Sequence, residues 1–237
     1  MAGKRGYFGF WALLVIMGAL MAFGFYLDDS VTVYSETSGI ENRKTVVIDP
    51  GHGGVDGGAT SVSGVLESGI NLQISLRLND LLHLLGINTK MLRTEDVSIH
   101  TSGNTIAQKK VSDLKERVRI IENTDPALLV SIHQNYFQES KYSGAQVFYP
   151  DTHGSKELAA ALQASFTKNL NPGNHRLCKP ASGVYLMQKI SCTGVLIECG
   201  FLSNPTEDRL LQDASYQKKL CCIIAAACGE YMFGFQT

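Results

Sequence analysis

Short runs of apolar residues without alternation recur along the chain, and each ends on a polar or ionisable group. Thr45-Val46-Val47-Ile48 ends at Asp49-Pro50, Ala127-Leu128-Leu129-Val130-Ser131-Ile132 delivers His133, and Val195-Leu196-Ile197 delivers Glu198. Runs of this length, bounded by turn signals, predict buried parallel strands. Between them the apolar positions switch to helical spacing. A helix opening at Leu66-Glu67-Ser68-Gly69-Ile70 carries Ile70, Ile74, Leu78, Leu81, Leu82 and Leu85, with Gly86 as its stop. Ile87 to Met91 alternates like a strand, and Thr94 to Lys110 shows no period and predicts a polar loop. Ser112 is predicted to cap a helix reaching about Glu122, with Val111, Leu114, Val118 and Ile121 as its apolar face.

The pattern continues to the C-terminus. Ala145 to Tyr149 predicts a strand, and Ser155 opens a helix with Leu158, Ala161, Leu162 and Phe166 that Asn171-Pro172-Gly173 breaks. Asn204-Pro205 starts a helical stretch with Leu210 and Leu211, and a last helix runs from about Tyr216 to Phe233. Alternating strands and helices predict an α/β fold: a three-layer, mixed, mostly parallel sheet flanked by helices, as a single domain over residues 44–237.

The N-terminus breaks this pattern. Lys4 and Arg5 precede residues 6–27, a stretch of 22 residues without a charge, and Asp28-Asp29 follows. That length spans a bilayer core, and the flanking charges place residues 1–5 in the cytoplasm and the remainder outside. The run exceeds a usual signal-peptide core and lacks a small-x-small cleavage site, which favours a retained anchor over a cleaved signal. Residues 28–43 read as a polar spacer. Without Lys4 and Arg5, 19 basic residues face 22 acidic ones, about −3, so no nucleic acid partner is expected. Six cysteines in an exported chain suggest disulfides, yet no C-x-x-C pair exists. Most read as small buried hydrophobes, and only Cys178 with Cys192 is worth testing as a bridge.

The chemistry gathers at strand ends. Asp49-Pro50-Gly51-His52-Gly53-Gly54 follows the first strand, where open α/β sheets place their ligands. The glycine spacing fits neither G-x-x-x-x-G-K-[ST] nor G-x-G-x-x-G, which argues against a phosphate cradle. His52, His133 and Glu198 stand at three strand ends, and Glu67 stands at the start of a helix, where a carboxylate suits the macrodipole. Two histidines and a carboxylate with one open position form a catalytic zinc ligand set, and a second carboxylate can serve as general base. H-E-x-x-H is absent, and spacing alone does not choose among these groups.

The motifs Asp49 to Gly54, Glu67, Ser131-Ile132-His133-Gln134-Asn135, and Leu196-Ile197-Glu198-Cys199-Gly200-Phe201-Leu202-Ser203-Asn204 resemble, in order, the zinc-dependent N-acetylmuramoyl-L-alanine amidases of the amidase-3 type. The resemblance covers residues from about 44 to 235. It implies one zinc ion held by His52, Glu67 and His133, with Glu198 as the catalytic carboxylate, acting on the amide between muramic acid and L-alanine of peptidoglycan. The anchor directly before a bare domain, with Lys109-Lys110-Val111-Ser112-Asp113-Leu114-Lys115-x-Arg117, is similar to the CwlD-type cortex amidases of endospore formers. That similarity implies work between the forespore membranes, the first step toward muramic-δ-lactam, a later muramic-acid deacetylase, and room for a protein activator. Departures fall at Gln134, at Ser191-Cys192-Thr193-Gly194 and at Cys199, none of them a proposed ligand.

Two other functions stay open: a zinc peptidase cutting within the stem peptide, and a non-catalytic peptidoglycan-binding regulator. The second would be expected to lack one of the four groups, and all four are present. Asn135 is read either as binding substrate or orienting His133, or as a plain turn residue. Asp49 and Asp56 are read either as partners that support the ligands or, by preference, as turn caps, and Arg93 and Arg117 as structural ion-pair residues rather than substrate clamps. His83, His100, His153 and His175 read as solvated or structural.

Overall fold

In the computed structural model, residues 45–234 are described, apart from 125 and 127. The segment at 6–27 and the spacer after it lie outside these residues. No described helix is long and apolar enough to cross a membrane. The elements are β1 (Thr45–Pro50), α1 (Glu67–Leu84), β2 (Asn88–Met91), α2 (Ile106–Glu122), β3 (Leu128–Asn135), β4 (Gln146–Tyr149), α3 (Ser155–Asn169), β5 (Lys179–Pro180), α4 (Tyr185–Lys189), β6 (Gly194–Phe201), α5 (Pro205–Gln212) and α6 (Ala214–Phe233). The strand order is β2-β1-β3-β6-β4-β5. β2, β1, β3 and β6 are parallel, β4 runs antiparallel to β6, and β5 pairs parallel with β4. This is the expected mixed, mostly parallel sheet.

Both faces of the sheet are covered. Val46, Ile48, Val130, Ile132, Val195 and Ile197 pack under α1, α3 and α6 in the larger core. Val47, Leu129 and Leu196 point the other way and meet Ile121 of α2 and Leu186 and Met187 of α4. Burial on both sides explains why the strand runs do not alternate. On the thinner face the side chains change character toward the C-terminal strand ends, since successive residues on one face are two apart. Val47 is followed by Asp49, Leu129 by Ser131 and His133, and Leu196 by Glu198. The register pairs Asp49 with Ser131 and His133 with Glu198, so the polar ends lie side by side.

Three sequence expectations about α2 need correction. Residues 106–110, expected as loop, are the first turn of α2. Thr105 caps that helix, accepting from Gln108 N while the Gln108 side chain answers to the Thr105 backbone, a complete capping box. Ile106 is exposed, so no apolar face marked this turn. Ser112 is no cap. It lies buried inside α2, and its Oγ accepts from the backbone N–H of Thr101 and Ser102, each at 3.1 Å. The expected apolar face is also displaced: Val111 and Leu114 are exposed, and the buried side is Ser112, Asp113, Arg117 and Ile121. The helix turns polar groups inward because it covers the polar end of the sheet. The short β5 and α4 carry no usable period and were not anticipated.

Cys178 and Cys192 are not bridged; all six cysteines are free, with Cys199, Cys221 and Cys228 buried in the larger core. Thr105→Ala removes the α2 cap and should lower stability by about 1 kcal/mol, measured by urea unfolding of the full chain. An unchanged midpoint and slope would show that the capping box contributes nothing.

Candidate metal centre

The turn after β1 brings His52 into a backbone conformation that few side chains adopt. His52 has φ +60°, and it is the single non-glycine residue at positive φ among the described residues. Such a residue persists where its surroundings over-determine it. Here Arg117 Nη2 donates to His52 O at 2.7 Å and Arg117 Nη1 to Pro50 O at 2.9 Å.

Three predicted residues converge. His52 Nε2 lies 3.3 Å from Glu67 Oε1, and His133 Nδ1 lies 3.1 Å from the same oxygen. One donor atom from each of His52, Glu67 and His133 falls within 4.8 Å of the others. The imidazole rings meet edge to face, 5.0 Å between centroids. Glu67 is the first residue of α1 and is buried. Its Oε2 accepts Ala59 N at 3.0 Å, and its Oε1 also accepts Asn71 Nδ2 at 3.2 Å and Gln134 N at 3.1 Å.

Two glycines make this convergence sterically possible. A Cβ on Gly51 would stand 2.3 Å from the His133 ring, and one on Gly58 would stand 2.5 Å from Glu67 Oε2. Their empty space is filled by the His133 and Glu67 side chains themselves.

Asp56 is a supporting partner as well as a turn residue, against expectation. Its Oδ2 lies 3.0 Å from His52 Nδ1, and Lys110 Nζ holds its other oxygen at 2.7 Å. A carboxylate on the far ring nitrogen orients the imidazole with Nε2 toward Glu67. Asp49 also departs from expectation. It caps no turn; it lies buried on β1, where it accepts the Ser131 hydroxyl at 2.7 Å and pairs with Arg117. Arg117 Nε also bonds Asp113 Oδ2 at 2.6 Å, so Arg117 is a structural ion-pair residue as expected. His83 and His100 stand away from the centre, their ring nitrogens at Thr89 and Ser98 hydroxyls.

Glu198 stands on β6 beside His133, one strand spacing away, about 4.8 Å. Both line a cavity of about 280 Å³ with His52, Leu114, Val184 and Leu186. Its Oε2 is buried and has no hydrogen-bond partner among the described residues. Asn135 does not line this cavity. It lies past a bulge in β3, and its carbonyl accepts Leu202 N at 2.8 Å, which suits the plain structural reading. Gln134, noted only as a departure, proves to be part of the support: its buried amide donates to Asn71 Oδ1 at 3.1 Å.

The electrostatics agree with a cation site. Burial raises the Glu67 pKa, but His133 and then His52 outweigh that and hold it well below the usual carboxylate range. Burial likewise opposes protonation of His52, yet Glu67 and Asp56 lift its pKa to about 9. Glu198 is raised to about 7, first by burial and further by Glu67, against the pull of His133 and His52. A cluster that retains a proton on an imidazole to balance a buried carboxylate is one where a metal cation can take that proton's place. Two imidazoles and a carboxylate fit the donor set of a three-ligand zinc site with an open position.

The profile of the N-acetylmuramoyl-L-alanine amidase family matches residues 46–229. The germination-specific N-acetylmuramoyl-L-alanine amidase of Bacillus subtilis is 38% identical over 183 residues, 76% of each chain. The structure of the Clostridioides difficile CwlD amidase, determined in complex with the GerS lipoprotein, is 39% identical with a TM-score of 0.77, covering 81% of this chain and 99% of that one. A second N-acetylmuramoyl-L-alanine amidase structure, from Clostridium difficile 630, is 30% identical with a TM-score of 0.72, covering 82% of this chain and 100% of that one. The profile match spans most of the chain and includes His52, Glu67, His133 and Glu198, and the chain belongs to the N-acetylmuramoyl-L-alanine amidase family of amide hydrolases.

Proposed function

We propose that the chain holds one zinc ion through His52, Glu67 and His133 and uses Glu198 to hydrolyse the amide between N-acetylmuramic acid and L-alanine in spore peptidoglycan. The observation that carries this reading is Glu198 Oε2, buried and unpartnered beside the converged His-Glu-His set. A buried carboxylate oxygen with nothing to bond is costly unless a water or substrate meets it in the working enzyme.

Bound zinc would act as a Lewis acid on the amide carbonyl and acidify a water. The chain's own groups do the rest. Glu198 takes a proton from the attacking water and passes it to the departing amine of L-alanine. Glu67 stays ionised through its hydrogen bonds, and Asp56 keeps the His52 ring in register. The Leu114, Val184 and Leu186 side chains give the cavity an apolar wall that limits water around the scissile bond.

The spore setting rests on the germination-specific relative in Bacillus subtilis. The substrate lies outside the cytoplasm, and residues 6–27 would anchor the enzyme there. A protein partner follows by analogy with the lipoprotein complex of the Clostridioides difficile relative. The product carries a free lactyl carboxyl; a muramic-acid deacetylase that frees the sugar's amine by releasing acetate would supply the second group of a lactam, which closes with loss of water.

Mass spectrometry of digested peptidoglycan tests the reading. Muramic acid with a free lactyl group and intact peptides beginning at L-alanine are expected; peptides cut within the stem would instead support the zinc-peptidase alternative. Glu198→Ala should keep one zinc per chain and lose at least about 100-fold in rate. Normal cleavage by that variant would contradict the role of Glu198. Gly51→Ala should force the His133 ring aside and weaken zinc binding by about 10- to 100-fold, read by chelator competition. Unchanged zinc affinity would show that His133 is not a ligand.

A further inference from the structure

Arg93 is a buried cation with almost no carboxylate to balance it. Its side chain is fully buried, and among the described residues its nearest carboxylate oxygen, on Asp96, is 3.9 Å away. Its donors go to backbone carbonyls instead. Nε reaches Pro50 O at 3.0 Å, Nη1 reaches Glu95 O at 3.0 Å, and Nη2 reaches both Gly51 O and Ser68 O at 2.9 Å. Burying a guanidinium is expensive, and carbonyl dipoles repay it only through good geometry.

Those carbonyls are informative. Pro50 and Gly51 immediately precede His52, and Ser68 immediately follows Glu67. One nitrogen of Arg93 therefore ties the turn that presents His52 to the helix start that presents Glu67. Asn71 repeats the link from the other side, its Nδ2 donating to Gly51 O and to Glu67 Oε1, each at 3.2 Å. We propose that Arg93 is a positioning residue of the metal centre, setting the separation of His52 and Glu67 through the carbonyls of Gly51 and Ser68. The planar fork suits this task; a lysine ammonium is a single point on a flexible stem and cannot hold the same spread of acceptors.

This proposal rests on the zinc-centre reading above, and the test separates the two. The full chain, its Arg93→Lys variant and its Arg93→Gln variant are compared by chelator competition for Zn²⁺, by melting with and without metal, and by the visible spectrum after Co²⁺ substitution. A parent chain that binds no zinc would sink the zinc-centre reading itself. With a zinc-binding parent, Arg93→Lys should bind zinc 10- to 100-fold more weakly, gain less melting temperature from metal, and show a shifted cobalt spectrum. Parent-like affinity and spectrum, with only the metal-free melting temperature lowered, would make Arg93 a structural residue and overturn the proposal. Where a variant does not hold its fold without metal, the zinc concentration giving half-maximal stabilisation is read instead. An unchanged midpoint overturns the proposal, and a raised one supports it.

Discussion

A buried carboxylate, Glu67, shares one oxygen between two imidazoles, and the surrounding chain is arranged to keep it ionised there. Its Oε1 faces His52, His133, Asn71 and the Gln134 amide, and its Oε2 takes the Ala59 amide. An ionised carboxylate is not held in a protein interior without this density of donors. The glycines at 51 and 58 follow from the same requirement, since any Cβ there would occupy the volume of His133 or Glu67. The left-handed backbone at His52 lies in the same turn, held by Arg117 at the His52 and Pro50 carbonyls.

The layers around the centre serve the same end. The large core under α1, α3 and α6 is apolar and supplies stability. The thinner face gives up apolar contacts at the C-terminal strand ends, where Asp49, Ser131, His133 and Glu198 share one side. Two buried guanidiniums stand behind this polar end. Arg117 is balanced by Asp49 and Asp113, whereas Arg93 is spent on carbonyls of the ligand-bearing turns. Burial and the neighbouring Arg117 bring the Arg93 pKa down to about 10, which still leaves it a cation at neutral pH.

The sheet and its site were legible in the sequence for one physical reason. Strands buried on both faces read as unbroken apolar runs, and His133 and Glu198 end two of those runs. His52 and Glu67 were legible only through the resemblance of their motifs to the family, since spacing alone does not choose among the ionisable groups. What was not legible depends on side chains meeting across the fold. The polar inner side of α2 violates the rule that the periodic apolar face points inward, so Val111 and Leu114 misled. The Asp56–His52 pair and the Gln134–Asn71 bond join residues whose contact no local pattern announces. The start of α2 was readable in principle, since Thr105-x-x-Gln108 is a capping-box signature without an apolar run behind it.

The central claim is that Glu67 and the two histidines form a metal centre and not merely a buried hydrogen-bonded cluster. Anomalous X-ray scattering from crystals of the protein, measured on both sides of the zinc absorption edge, tests it most directly. One zinc peak per chain is expected, bounded by His52, Glu67 and His133, with the Glu198 carboxylate facing its open side. Crystals grown with zinc that show no peak there, or a peak held by other side chains, would contradict it.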